Sequence, residues 1–357
     1  MNLFEIERDG FNDRFDFNAY LTESYENLSD RDLYIISGIT EYSRDEFEQV
    51  LGEEGWETSQ DFGAISRIRR QYSEEKSAEA YLSFDDEHGL FFLYTDQRKT
   101  EEIENGIEPF LNRTQKVHYL YLSPRILSET RERIVESEPG AKVTEFVAKR
   151  TKRTEIPAEF GEALDRTVNY YGEDGLERLR MWERELGVLP HIMQFEIPGT
   201  IKFRIDKNGV FKLQSGSLTA LFEYVEECIQ QSLEIADAYR ESRFRMLRVS
   251  DSFNVPSSKP AVIQLRNEID YHEIEDVIDD LEEDDYLVID RFSEEGSLFF
   301  SGKVYDSTHN IFFNVRANQD EIRIFPKEER DIGSFYQFFE FVQTAVDERA
   351  KLTSLDA

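Results

Sequence analysis

Three clusters of basic residues have the composition of a phosphate-binding surface. Arg67, Arg69 and Arg70 lie close together on or beside one apolar-alternating segment. Lys142, Lys149, Arg150, Lys152 and Arg153 stand against a single acid, Glu145, for a local charge of +4. Arg240, Arg243, Arg245 and Arg248 stand against Glu241, for a local charge of +3. Phosphate contacts need such charges, because release of condensed counterions drives the binding. Arg67 and Arg69 alternate on a predicted strand, which puts both side chains on one face. Lys149 to Arg153 falls at a polar linker, outside any helix of alternating charge. The competing use of these cations is intramolecular pairing, for which the chain offers 75 Asp and Glu.

Other chemistries find less support. The five histidines are His88, His118, His191, His272 and His309, and no two lie within ten residues of each other, so HExxH-type zinc spacing is absent. No G-x-S-x-G elbow, phosphate-binding loop or dinucleotide fingerprint occurs, and Ser215-Gly216-Ser217 reads as the start of a helix. Cys228 is the sole cysteine and sits on the apolar stripe of a predicted helix, the setting of a buried structural thiol. Glu268 to Asp285 carries eleven acids and no Lys or Arg, without the spacing of a calcium loop. It reads as a solvated face. Glu196, Asp206 and Lys212 could form the acid, acid and lysine of a metal-dependent nuclease, but so acidic a chain supplies that set by chance. No catalytic residue, metal ligand or cofactor is therefore assigned.

The charge balance bears on the partner. Of 42 basic residues 13 are Lys, leaving 42 − 13 = 29 Arg, and the net charge is −33 over 357 residues. At molar salt the Debye length falls to about 3 Å, so a densely carboxylated surface stays hydrated without strong self-repulsion. Few lysines and a large acid excess point to a salt-adapted source. In that setting the net charge does not argue against nucleic acid. Hydrophobic residues at 39% suffice for real cores. The apolar runs, the longest being Leu90 to Tyr94, are too short for a transmembrane helix, and Met1 to Tyr20 lacks a secretory pattern. A cytoplasmic location, with no membrane partner, is expected.

The elements that must position these residues follow from periodicity. Leu33 to Ile36 predicts a buried strand, Ser43 and Glu46 a capped helix, and Ala64–Arg69, Ala78–Phe84 and Leu90–Tyr94 three strands before a helix over Ile103 to Leu111. His118–Leu122 and Lys142–Ala148 flank a helix at Arg125–Val135. A long helix is predicted over Glu159–Leu186, with a break near Gly172–Gly175 and Gly187 beyond its end. Strands follow at Ile192–Ile197, Thr200–Ile205 and Val210–Leu213, with an Asn208-Gly209 hairpin signal and a helix opening at Ser217. The last third repeats the order, with a helix over Tyr271–Leu281, strands at Ser297–Tyr305, Ile311–Val315 and Glu321–Phe325, and a helix from Ser334. The fold class is α+β: repeated strand-helix-strands-helix units with antiparallel sheets covered by helices on one face. The divisions are a polar lead-in at 1–30, an α+β unit with a β-α-β insertion at 31–155, a middle helical and α+β unit at 156–249, a hinge-like linker at 250–260 and a C-terminal α+β unit at 261–357. A second polar linker is expected at Thr151 to Ala158.

Ala80–Leu111, Lys202–Gln230 and Ile311–Val346 share one layout: two strands joined by a turn, a polar boundary, then an amphipathic helix. Lys202-Phe203-Arg204-Ile205-Asp206-Lys207-Asn208-Gly209-Val210-Phe211-Lys212-Leu213, continuing through Ser217 into Phe222 and Val225, resembles the closing strands and second helix of the half-repeat in TATA-box-binding proteins. The resemblance implies a sheet that grips DNA, with phenylalanines wedged between base steps. Phe91, Phe92, Phe211, Phe312 and Phe313 sit on the corresponding strands. Core packing is the other reading for each.

Taken together, these features lead to the expectation of a non-enzymatic binding protein associated with DNA or RNA, with Arg67, Arg69, Arg70, Lys149, Arg150, Lys152, Arg153, Arg243 and Arg245 as contact residues. The alternatives are a protein-interaction module or homo-oligomeric assembly subunit and, third, a metal-dependent hydrolase or nuclease.

Overall fold

The computed structural model describes residues 3–25, 32–150, 166–250, 253–266, 268–269, 277–282, 286–294, 299–327, 331–347 and 349–353. In chain order the elements are α1 (Arg14–Tyr25), β1 (Leu33–Thr40), α2 (Arg44–Glu53), β2 (Trp56–Asp61), β3 (Ile65–Gln71), β4 (Ser77–Asp85), β5 (Leu90–Thr95), a π-helical turn (Lys99–Ile107) and α3 (Glu108–Arg113). There follow β6 (Val117–Tyr119), α4 (Pro124–Ser137), β7 (Lys142–Arg150), β8 (Arg166–Tyr171), α5 (Gly175–Leu186), β9 (Leu189–Ile197), β10 (Ile201–Asp206), β11 (Val210–Gly216) and α6 (Leu218–Glu241). The last part holds β12 (Arg243–Ser250), β13 (Phe253–Lys259), β14 (Ala261–Gln264), α7 over 277–282, β15 (Tyr286–Glu294), β16 (Phe299–Asp306), β17 (Ile311–Ala317), β18 (Glu321–Pro326), α8 (Ile332–Phe341) and β19 (Lys351–Thr353). The fold is α+β with antiparallel sheets, divided into two units. The first draws on Met1–Lys149, Thr167–Trp182 and Leu189–Ser232, and the second on Arg150–Arg166, Glu183–Val188 and Leu233–Ala357.

The first unit is built on one sheet of order β2-β3-β4-β5-β1-β11-β10-β9-β7-β8, so segments from both 31–155 and 156–249 pair in it. The apolar run at Leu33 to Ile36 opens β1, of which every residue is buried. One edge of β1 pairs with β5, while the other is shared: Leu33–Ile36 face β11 and Gly38–Thr40 face β6. Alternation sends Tyr34 and Ile36 to one side, where they join Phe47 and Leu51 of α2 and Phe110 of α3. On the other side Phe17 of α1 meets Tyr94 edge-on at 5.1 Å. Further along that side Tyr224 of α6 stacks on Phe203 at 5.0 Å. The second unit has a sheet of order β15-β16-β17-β18-β14-β19 and a separate β12-β13 ribbon. Val304, Phe313, Val315, Ile322 and Ile324 line its inner face, and Phe338 of α8 meets Phe313 at 5.2 Å.

Local chemistry explains most element ends. Glu46 accepts from both the Ser43 amide, at 2.9 Å, and its hydroxyl, at 2.7 Å, at the start of α2. Ser217 Oγ accepts from the Ala220 amide at 3.3 Å, and Gly187 takes φ +63° just past α5. Two expectations fail. Residues 166–171 form strand β8 instead of the first part of a helix, because this alternating, aromatic-rich segment pairs along the free edge of β7 and stacks Tyr170 on Phe146 at 5.3 Å. The proline- and serine-rich stretch expected as a hinge at 250–260 contains β13, paired with β12 through Pro256 opposite Met246. Proline fits there because a two-stranded ribbon has only edge strands. The linker at Thr151–Ala158 and the helical residues expected at 159–165 and 271–276 lie outside the described residues.

Gly38 lies opposite Phe91 in the buried β1–β5 pair, and a Cβ at Gly38 would fall 2.1 Å from that ring. Gly38→Ala is expected to lower stability by about 2 kcal/mol or more through overpacking. Gly52→Ala, with nothing within 4 Å of its Cβ in α2, is expected to raise stability by about 0.5–1 kcal/mol. Denaturant unfolding of the two variants checks both signs.

Candidate nucleic-acid interface

The arginines singled out on β3 are engaged within the fold. Arg67 donates to Glu79 at 2.7 Å, and Arg69 reaches the same carboxylate at 3.4 Å. Glu79 is itself buried, so one carboxylate offsets two guanidiniums. Arg70 projects to the opposite face of the strand, where Nη1 donates to the Gly106 carbonyl at 3.1 Å. In the second cluster Lys149 is exposed at the end of β7, while Arg150 is buried and donates to the Leu186 carbonyl at 2.9 Å. Lys152 and Arg153 lie outside the described residues. Arg243 and Arg245 fall on β12, opposite Lys259 and Ser257. The structure thus distributes the expected contact residues over several elements, and Arg67, Arg69, Arg70 and Arg150 serve internal contacts.

The nuclease set also disperses. Lys202 on β10 pairs in register with Glu196, and Asp206 lies four residues further along β10, about 13 Å away at the strand's rise. Asp206 Oδ1 accepts from the Asn208 and Val210 amides, and Lys212 forms an ion pair with Asp32 at 2.7 Å. Cys228 is buried against Thr130, and burial pushes its thiol up to about 12. His191 is buried at the β7–β9 irregularity, and burial, followed by the charges of Lys207 and Lys149, pushes it down to about 3. Its ring is neutral at ordinary pH. Among the candidate wedge positions, Phe91, Phe92, Phe211 and Phe313 are buried in the core and cannot reach a base step, whereas Phe312 is 37% exposed.

Phe312 belongs to a surface on the outer face of the second unit's sheet. Strand pairing arranges this face in rows. Leu287, Tyr305 and Phe312 form the first, Ile289, Lys303, Asn314 and Phe325 the second, and Ser301, Arg316 and Arg323 the third. Tyr305 and Phe312 lie with centroids 4.6 Å apart. Lys303 Nζ sits 4.1 Å from the Phe312 centroid, and the Arg316 guanidinium 5.0 Å from that of Phe325. Arg323 pairs with Glu321. Neither Lys303 nor Arg316 has a carboxylate partner among the described residues, although the chain carries 75 acids. Arg316 and Arg323 are direct cross-strand neighbours, an arrangement of like charges that costs a few tenths to about 1 kcal/mol unless an anion relieves it. The sequence signal for this face is an alternation of aromatic or basic residues with apolar ones in Lys303–Tyr305, Phe312–Arg316 and Arg323–Phe325.

The turn between β16 and β17 sets the register that brings Tyr305 opposite Phe312. Asp306, wholly buried, accepts from the Thr308 amide at 2.9 Å and the His309 amide at 3.1 Å, and its other oxygen pairs with His309 Nδ1 at 2.7 Å. Tyr305 donates to Asn310 Oδ1 at 2.9 Å, and Asn310 takes the left-handed φ of +57° that closes the turn. Burial opposes charging the His309 ring, but the hydrogen bond and charge of Asp306, with Asp331 adding to them, hold its pKa above the ordinary value. Burial likewise pushes the Asp306 carboxyl up, and His309 outweighs it to leave the group below the usual range. On the inner side of this sheet Phe313, Ile324, Ser334 and Phe338 leave a cavity of about 10 Å³, room for no more than one water.

Residues 130–208, from the second half of α4 to the β10–β11 turn, match a family model described as a family middle domain. A protein of Archaeoglobus fulgidus described as an uncharacterized protein is 24% identical over 327 residues, covering 87% of each chain. No solved structure matches the chain.

The ionised Asp306–His309 pair has a defined pH window. Stabilisation by the raised histidine is complete below the unfolded imidazole value of about 6.5 and is lost as pH rises through the higher folded value. Stabilisation by the depressed carboxylate is present above its unfolded value of about 3.9 and is lost as pH falls through the lower folded value. Hydrogen-exchange protection of β16 and β17 amides, referred to the intrinsic exchange rate at each pH, is expected to decline on the alkaline side. His309→Gln is expected to remove that decline. An identical alkaline limb in the variant would exclude the pair as its source.

Proposed function

We propose that the protein is a non-enzymatic binding protein that associates with nucleic acid, and that the open face of β16, β17 and β18 is its contact surface. One observation carries this reading. On a chain of net charge −33, the face presents Lys303, Arg316 and Arg323, of which among the described residues only Arg323 pairs with a carboxylate, that of Glu321, while the other two rest on aromatic rings. A local positive patch on an acidic molecule orients an anionic polymer and repels the remaining surface from it. The salt-adapted reading of the composition belongs to the same proposal, since molar salt screens the surrounding carboxylates.

Three hairpins support a repeated design. Asp85, Asp206 and Asp306 each close a turn by accepting amides two or more residues on, and Asp85 and Asp306 also pair with His88 and His309 three residues on. The Asp85 and Asp206 hairpins lead directly into helical segments, the layout that resembles the TATA-box-binding half-repeat, whereas the Asp306 hairpin is followed by β18, and in the last third that layout is made by β17, β18 and α8. A second reading, protein interaction, draws on Leu287 and Phe292, which are 53% and 56% exposed on β15. No helix among the described residues is long and apolar enough to cross a membrane.

Combined Lys303→Glu, Arg316→Glu and Arg323→Glu substitutions are expected to weaken retention of a labelled oligonucleotide by at least about tenfold, or about 1.4 kcal/mol. Anisotropy titration at low salt measures it, with circular dichroism verifying the fold. Unchanged retention would remove this face from the interface. Loss of self-association on Leu287→Ser with Phe292→Ser, seen by sedimentation, would favour the second reading.

A further inference from the structure

We propose that the ligand of this face is single-stranded RNA, held by bases stacked on the Tyr305–Phe312 pair and on Phe325, with Arg316 and Lys303 on the phosphates. The assignment rests on the nucleic-acid reading above and specifies its chemistry. A ring lying on an open sheet offers a stacking partner only to a base whose own face is free, and a duplex hides those faces in its internal stack. Phe325 lies opposite Asn314, and Phe312 is two residues from Asn314 on the same strand and same face. The step from Phe312 to Phe325 is thus one strand across and two residues along, about 8 Å from strand spacing and rise. That exceeds twice the 3.4 Å rise of stacked bases, so neighbouring bases must be splayed apart, as only an unpaired strand permits.

The two cations that now sit on rings do not block this. An exposed cation–π contact is worth about 0.5–1 kcal/mol, and stacking a base on an aromatic ring about 1–3 kcal/mol. A base therefore displaces the cation, which moves to a phosphate and gains a partner it lacks among protein groups. Asn314 supplies the sugar discrimination. Its side chain lies between Lys303 and Phe325 in the same row and carries both a donor and an acceptor for a ribose 2′-hydroxyl.

The test uses the full chain and anisotropy titrations of labelled oligouridylate, oligodeoxythymidylate and a hairpin duplex, each from low to molar KCl. Oligouridylate is expected to bind tightest. Binding through two cations should give a log–log salt slope of about −1.4, shallow enough to leave stacking-driven binding at high salt. Tyr305→Ala with Phe312→Ala is expected to weaken binding of single strands by about tenfold or more while leaving the slope unchanged. Phe312→Trp is expected to retain binding and to show quenching of the new indole. Arg316→Gln should reduce the slope by about 0.7 and keep the preference for single strands. Asn314→Leu should bring the affinities for oligouridylate and oligodeoxythymidylate together. Duplex bound as tightly as single strand, or aromatic variants without effect, would overturn the stacking assignment, and if Arg316→Gln still weakened binding the nucleic-acid reading would survive. Preference for oligodeoxythymidylate would overturn the RNA assignment alone. Retention of none of the three probes would end both.

Discussion

A strand in an antiparallel sheet has two faces, and the helix packed on the sheet buries one of them. Everything proposed for the second unit follows from that constraint. Val304, Phe313, Val315, Ile322 and Ile324 take the inner positions, where Phe335, Phe338 and Phe341 of α8 are also buried. The two-residue period then sends Lys303, Tyr305, Phe312, Arg316, Arg323 and Phe325 to the outer side. A slip of one residue would exchange the two sets and expose the core. The Asp306 turn resists such a slip by tying two amides and one imidazole to a single buried carboxylate.

The charge distribution gains its meaning against this geometry. In the first unit many cations on the sheet meet acids. Arg67 and Arg69 converge on Glu79, Arg204 meets Glu145, Lys212 meets Asp32 and Arg14 meets Glu226. The exposed pairs among these contribute little to stability, because each is screened and must order two long side chains. Their consequence is to remove those cations from the surface available to a polyanion. Lys303 and Arg316 have no carboxylate partner among the described residues, because their cross-strand neighbours are Ile289 and Asn314 for the first and Ser301 and Arg323 for the second. In a chain with 75 acids, the cations that find no carboxylate carry more information than the many that do.

The hairpins at Asp85, Asp206 and Asp306 solve one local problem. A tight turn leaves amides pointing inward, and an aspartate at the end of the first strand accepts them. The aromatic residue that follows each turn has a different fate. At the position next to the residue opposite the aspartate, Phe91 and Phe211 are buried in the first unit, while Phe312 is exposed in the second. One hairpin design therefore serves as core in two places and as surface in the third.

Much of the scaffold was legible from local signals. The apolar run at Leu33, the Ser43 and Ser217 helix starts, the Asn208-Gly209 turn and the burial of Cys228 each depend on residues within a few positions of one another, so the sequence alone was enough for an α+β chain of hairpins and amphipathic helices. The identity of the free cations was not legible. Arg69 and Arg316 both alternate with apolar residues on a strand, and nothing local separates them. Their fates diverge because register places Glu79 opposite Arg69 and Arg323 opposite Arg316. Residues 166–171 are a strand for a similar reason, since the free edge of β7 supplies the partner that local propensity cannot register. Backbone propensity is a property of a segment, whereas charge pairing and burial belong to whichever segment the fold sets across from it, and only the tertiary structure decides that.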